Sequence, residues 1–134
     1  MAERWASGDP RWLAKGSVFL STAGQAYRDD DFDSCVSRSY YAVFYAINAL
    51  IPEALAYSSH VAVFNLCSSW NRTHTALDAV GVLRGQRNLH RSLKELHEWR
   101  EDADYRIGEI DGQKAQSALR FATRFVDGVR EVMS

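Results

Sequence analysis

Apolar residues recur along this chain with the 3.6-residue period of helices, and nowhere do they alternate for long enough to read as a strand. The run SGDPRWLAKGSVFLSTAGQAYRD opens with Asp9 as a helix cap and Pro10 at the first helical position. It then sets Trp12, Phe19, Leu20, Ala23 and Tyr27 at helical spacing, which predicts a helix over residues 10–29. In DDFDSCVSRSYYAVFYAINALI, Phe32, Cys35, Val36, Ser39, Val43, Ala46, Ile47 and Leu50 form the expected buried stripe of a second helix, stopped at Pro52. A shorter third helix is predicted from SSHVAVFNLCSSW, with Val61, Phe64 and Trp70 facing in. Gly81 and Gly85 interrupt NRTHTALDAVGVLRGQ, and each costs about 1 kcal/mol inside a helix, so a short helix and a loop are expected there.

From about Gln86, the spacing of Leu89, Leu93, Leu96 and Trp99 predicts a helix down to about Tyr105. Gly108 and Gly112 bracket a turn, after which Ala115, Ala118, Leu119, Ala122, Phe125, Val126, Val129 and Met133 mark a long final helix. The pattern is that of an all-α, up-and-down bundle of four main helices plus a short extra one. A length of 134 residues, 46% of them apolar, fits one domain over 1–134, with 1–9 a loose N-terminal segment.

Charge narrows the function classes. Sixteen Lys and Arg against seventeen Asp and Glu leave a net charge of −1, so no global basic field draws nucleic acid and any such contact must be local. Cys35 and Cys67 have neither metal-type spacing nor disulfide density, and read as small core residues in a reducing compartment. The opening MAERWASGDPRW has no apolar signal segment and no run is long enough to span a bilayer, so the expectation is a cytoplasmic protein with no membrane partner.

The densest chemistry lies in HEWREDADYR, residues 97–106. Asp104 stands one helical turn after Arg100, the spacing of an intrahelical ion pair worth about 0.3–0.5 kcal/mol when exposed. Held against Tyr40 or Tyr41, such a pair would serve bundle geometry more than stability. The acids Glu101, Asp102 and Asp104 would also oppose a phosphodiester approaching Arg100. A structural or interface role is favoured over ligand binding, and ligand binding over catalysis.

Four blocks together resemble bacterial and archaeal HEPN domains: SRSYYAVFYAINALI, SSHVAVF, REDADY and AQSALRFATRFVDGVREVM. The resemblance spans roughly residues 10–133, and the best match is the small stand-alone branch with an Arg-x-x-Ala-Asp-Tyr signature. It implies a four- to five-helix bundle, usually a homodimer, in a family tied to RNA and nucleotide chemistry. Many HEPN proteins are metal-independent ribonucleases whose Arg and His, four to six residues apart, meet across the dimer. Others have lost that motif and act as binding partners, often beside a nucleotidyltransferase in a toxin–antitoxin or defence operon.

Metal-free RNA cleavage needs an imidazole to move protons and a guanidinium to clamp the phosphate. Arg100 occupies the family's arginine position, but Glu101 to Ile107 contain no histidine. Elsewhere Arg84 and His90 are separated by five residues, as are Arg91 and His97. With 13 arginines and four histidines, chance supplies roughly one such hit, so neither pair is diagnostic. Arg84/His90, in the locally basic RGQRNLHR, is the better alternative, while His97 reads as a helix-face residue.

The remaining candidates have plain structural alternatives. Arg38 with Tyr40, Tyr41 and Tyr45 could stack a base and bind its phosphate, yet such aromatics more often build core. His60 fits a serine–histidine cap and packing role, and the sequence alone does not reveal what His74 pairs with. Asp29, Asp30, Asp31 and Asp33 read as a cap complementing the helix dipole rather than a metal site. No metal or other cofactor is called for. The favoured reading is a non-catalytic HEPN binding or partner protein whose ligand candidates are Arg38, Tyr41, Arg100, Asp104 and Tyr105. A metal-independent ribonuclease using Arg84 and His90 is the alternative.

Overall fold

The computed structural model describes residues 8–83 and 88–134. Among these residues every regular element is helical: α1 (Pro10–Arg28), α2 (Phe32–Leu50), a 3-10 turn (Pro52–Ala56), α3 (His60–His74), α4 (Ala76–Ala79), α5 (Leu89–Tyr105) and α6 (Gly112–Met133). The boundaries follow side-chain capping. Asp9 accepts from the Arg11 amide, Asp31 from Ser34, Ser59 from Ala62, Asn88 from Arg91 and Asp111 from Lys114. Each cap satisfies an amide that the first helical turn would otherwise leave unpaired. Pro10 sits in the first turn of α1, where its missing N–H costs nothing.

Helix α2 is the central element and packs against α1, α5 and α6. Eleven of its nineteen residues are buried, more than a one-faced stripe supplies. The expected stripe is therefore too narrow, because Tyr40, Ala42, Asn48 and Ala49 are also inside. Gly16 of α1 lies over the Ala42 carbonyl and Ala46, so a hydrogen at this position lets the two helices approach closely. From α5 come Leu89, Leu93 and Leu96, and from α6 Ala115, Ala118, Ala122, Phe125, Val126 and Val129. Leu119, Trp99 and Met133 pack at the margin of the core. Cys35 and Cys67 are buried and unbridged.

Helix α3 is shorter than α1, α2, α5 and α6, as expected, but it departs from the expectation at Val61, which is 49% exposed rather than facing in. Its buried face is formed by Val63, Phe64, Cys67, Ser68, Trp70 and Asn71, and at 100° per residue Val61 falls at the edge of that stripe. The short helix after it is α4, a single turn ended by Gly81 at φ 79°, in the left-handed region that glycine adopts without strain. Gly85 and Gln86 lie outside the described residues; α5 itself begins at Leu89, after the Asn88 cap.

Phe125 is fully buried on α6 and Leu96 nearly so on α5. Replacing Phe125 by Ala should cost about 3–5 kcal/mol and Leu96 by Ala about 2–5 kcal/mol in chemical denaturation. Wild-type denaturation midpoints would mean that these faces are not the core.

Candidate functional site

Helix α5 presents its polar residues to α2 and α3 at one-turn intervals. Arg100 points inward, its side chain only 15% exposed, and its Nη2 donates to the Tyr41 hydroxyl at 2.9 Å. Its Nε lies 3.0 Å from Oδ2 of Asp104. That approach is an ion pair without an aligned hydrogen bond, since the buried Nε has no acceptor in bonding geometry. The guanidinium carbon sits 5.2 Å from the Tyr40 ring centre and 5.6 Å from that of Tyr41, so the cation rests on two aromatic faces. Burial works against the Arg100 charge, but the Tyr41 hydrogen bond, together with Tyr41, Asp104 and Tyr40 nearby, outweighs it and holds the pKa above its usual value.

A second set of contacts adjoins the first. The fully buried Tyr40 places its hydroxyl 2.9 Å from Nδ1 of His60 and 3.5 Å from Nδ1 of His97. Nε2 of His97 is in turn 2.9 Å from Glu101. The His60 ring packs against Phe44 with centres 4.4 Å apart, and Ser59 caps its helix, as the serine–histidine start suggested. Burial, then the Arg100 charge and His97, hold the His60 pKa below its ordinary value. Burial pushes the Tyr40 phenol well above the usual tyrosine range, with Arg100 pulling the other way.

Of the five ligand candidates, Tyr41, Arg100 and Asp104 meet directly. Tyr105 is 74% exposed, its ring centre 6.0 Å from the Arg100 guanidinium carbon. Arg38 is exposed on α2, one turn before Tyr41, and makes no ion pair among the described residues. The other aromatics of that block are packing groups: Tyr45 stacks on Trp12 at 5.6 Å and meets Phe19 edge-on at 5.1 Å. Arg84 lies outside the described residues, so the Arg84/His90 pair has only its histidine placed.

His90 is exposed on a groove of about 440 Å³ between α3 and α5. Val61, Phe64 and Leu93 form its apolar part, and Asn65, Lys94, His97, Glu98 and Glu101 are among its polar lining. Arg91 is exposed and does not line it. His74 stacks on Trp70 at 4.5 Å, and its Nδ1 donates to the Trp70 carbonyl. The acidic run divides between two helix ends, with Asp29 closing α1, Asp31 capping α2 and Asp33 in the first turn of α2. Burial, Asp31 and Asp104 raise the Asp33 pKa. Among the described residues no three His, Cys, Asp or Glu side chains converge to hold a metal ion, and no helix is long and apolar enough to cross a membrane.

Sequence reasoning treated His97 as a helix-face residue, whereas it bridges Tyr40 and Glu101. The available signal was its spacing, three residues before Arg100 and four before Glu101, on the side of α5 that faces α2. The Tyr40–His60 bond joins residues twenty apart on different helices, and no local pattern announces it.

The all-helical bundle is the architecture the resemblance implied. The HEPN domain family matches residues 10–132, and the chain belongs to that family. A UPF0332 protein of Thermotoga maritima is 24% identical over 124 residues, covering 91% of this chain and 88% of that protein. No solved structure gives a significant match.

The lowered His60 pKa has a consequence for folding. The unfolded chain takes up this proton before the folded one, so the contribution is fully present above the unfolded histidine value and is lost as pH falls through the folded value. Between about pH 8 and about pH 5, wild-type protein should therefore lose more unfolding free energy than His60→Asn, as read by urea titrations at both pH values. Equal losses would show that His60 contributes no such dependence.

Proposed function

We propose that this HEPN chain is a non-catalytic binding module. It acts as a homodimeric partner of a nucleotidyltransferase or another component of a toxin–antitoxin or defence system, and contacts nucleotide or RNA through the α2 surface at Arg38 and Tyr41. The observation that carries the non-catalytic part is the position of Arg100. Cleavage without metal requires a guanidinium open to phosphate and an imidazole within reach of the 2′-OH. Arg100 is instead turned inward onto Tyr41 and Asp104, with Glu101 and Asp102 beside it and no histidine following in its block. A phosphate would have to displace Asp104 and sit among the remaining acids.

Arg38 supports the binding part, because it is exposed, unpaired with any described acid and one turn from Tyr41. Exposed apolar residues at Leu55, Tyr57 and Val61, and at Tyr105 and Ile107, offer surface for another subunit. The competing reading, a ribonuclease using Arg84 and His90, is favoured by the exposure of His90 on the groove beside Lys94.

Purified protein incubated with RNA and a chelator should leave the RNA intact, and binding should be measurable by fluorescence anisotropy. Arg38→Ala should weaken that binding about uniformly across sequences and reduce its salt slope by about 1. Chelator-resistant cleavage that His90→Ala abolishes, with the helical signal preserved, would overturn the reading in favour of the ribonuclease. Unchanged affinity in Arg38→Ala would remove the α2 surface from it.

A further inference from the structure

The Tyr40 hydroxyl stands between Nδ1 of His60 on α3 and Nδ1 of His97 on α5, at 2.9 and 3.5 Å. A phenol has one proton to give and lone pairs to accept. One histidine therefore receives that proton on a bare Nδ1, while the other presents an Nδ1–H to the phenol oxygen. His97 is constrained further, because its Nε2 meets the Glu101 carboxylate at 2.9 Å and an ionised carboxylate only accepts. Its Nε2 thus carries a proton in every state.

We propose that His60, Tyr40 and His97 form a proton relay that carries one proton from solvent at His60 to His97 by reversing two hydrogen bonds. Before uptake, both rings are neutral. His60 donates Nδ1–H to the Tyr40 oxygen, and Tyr40 donates its O–H to the bare Nδ1 of His97. A proton then binds Nε2 of His60, the Nδ1 proton of His60 passes to the Tyr40 oxygen, and the former phenol proton passes to Nδ1 of His97. His60 ends neutral with its proton on Nε2, Tyr40 ends neutral and donating to His60, and His97 ends as an imidazolium between Tyr40 and Glu101. One proton is gained and no electrons move. The 3.5 Å link is the longer of the two and closes as the charge forms.

Charged groups stand around the pair. From α5, Glu101 meets His97 itself, Glu98 and Lys94 line the same groove, and Arg100 and Asp104 stand beside Tyr40. From α2, the Tyr41 hydroxyl is occupied by Arg100, and α3 brings His60 itself. A second proton on the pair would aim both Nδ1–H groups at one phenol oxygen and strand the buried hydroxyl proton without an acceptor. Burial and Arg100 keep His60 the neutral member, and the phenol does not ionise. Because His97 lines the groove between α3 and α5, the relay sets the charge of that groove from a histidine on another helix.

The test uses the full chain labelled with 15N-histidine, whose long-range proton–nitrogen spectra report which ring nitrogen is protonated between about pH 8.5 and about pH 5. At high pH His97 should be the Nε2–H tautomer and His60 the Nδ1–H tautomer. On acidification His97 should gain its second proton while His60, still neutral, changes to Nε2–H over the same interval. In Tyr40→Phe the two rings should respond independently. His60 found as Nε2–H throughout, or both rings of the wild type charging in separate steps as in Tyr40→Phe, would overturn the relay. Should Tyr40→Phe fail to fold, Glu101→Gln is the second variant. It should move the His97 step and the His60 tautomer change to lower pH together, and a shift of His97 alone would also overturn the proposal.

Discussion

The guanidinium of Arg100, seated on Tyr40 and Tyr41 and paired with Asp104, is the contact on which the placement of α5 against α2 depends. An arginine directed into this interface without partners would be strongly destabilising, so any packing of the two helices must bring the tyrosines and the carboxylate to it. A hydrogen bond to a charged group contributes about 1.5–3 kcal/mol. The Tyr41 bond joins residues 59 apart in sequence and ties two helices together, whereas the Asp104 pair lies within α5.

The same choice of partners limits what the site can do. Its cation is committed inward, and the groups left near the surface at the end of α5 are mostly acids. Next to the clamp, the Tyr40 hydroxyl gathers two histidines from different helices, so α2, α3 and α5 meet in one polar network. Such networks are stable only when each member has a partner, which is why their geometry is narrowly fixed. In this chain the fixed geometry serves packing at Arg100 and opens toward a groove at His97.

Much of the fold was legible because its causes are local. Asp9 with Pro10 marks a helix start by residue type alone, and the leucines of α5 and the alanines and valines of α6 mark their faces by period. Val61 was misplaced because its short apolar run, VAVF, fits more than one helical phase until Phe64, Cys67 and Trp70 settle it. In the site, the Arg100–Asp104 pair was legible from its spacing, Tyr40 and Tyr41 as groups it could rest against, and His60 as a packing residue behind its serine cap. The hydrogen bonds of Tyr40 with His60 and His97 were not, since a period shows which way a residue faces and not what stands opposite it.

That Arg100 serves the bundle and not a phosphate can be tested most directly by a double-mutant cycle of Arg100→Gln and Tyr41→Phe in urea denaturation, with RNA affinity measured on the folded variants. A coupling energy of about 1–2 kcal/mol, with the affinity of Arg100→Gln near that of wild type, is the expected result. Additive effects within about 0.3 kcal/mol, together with loss of RNA binding in Arg100→Gln, would contradict it.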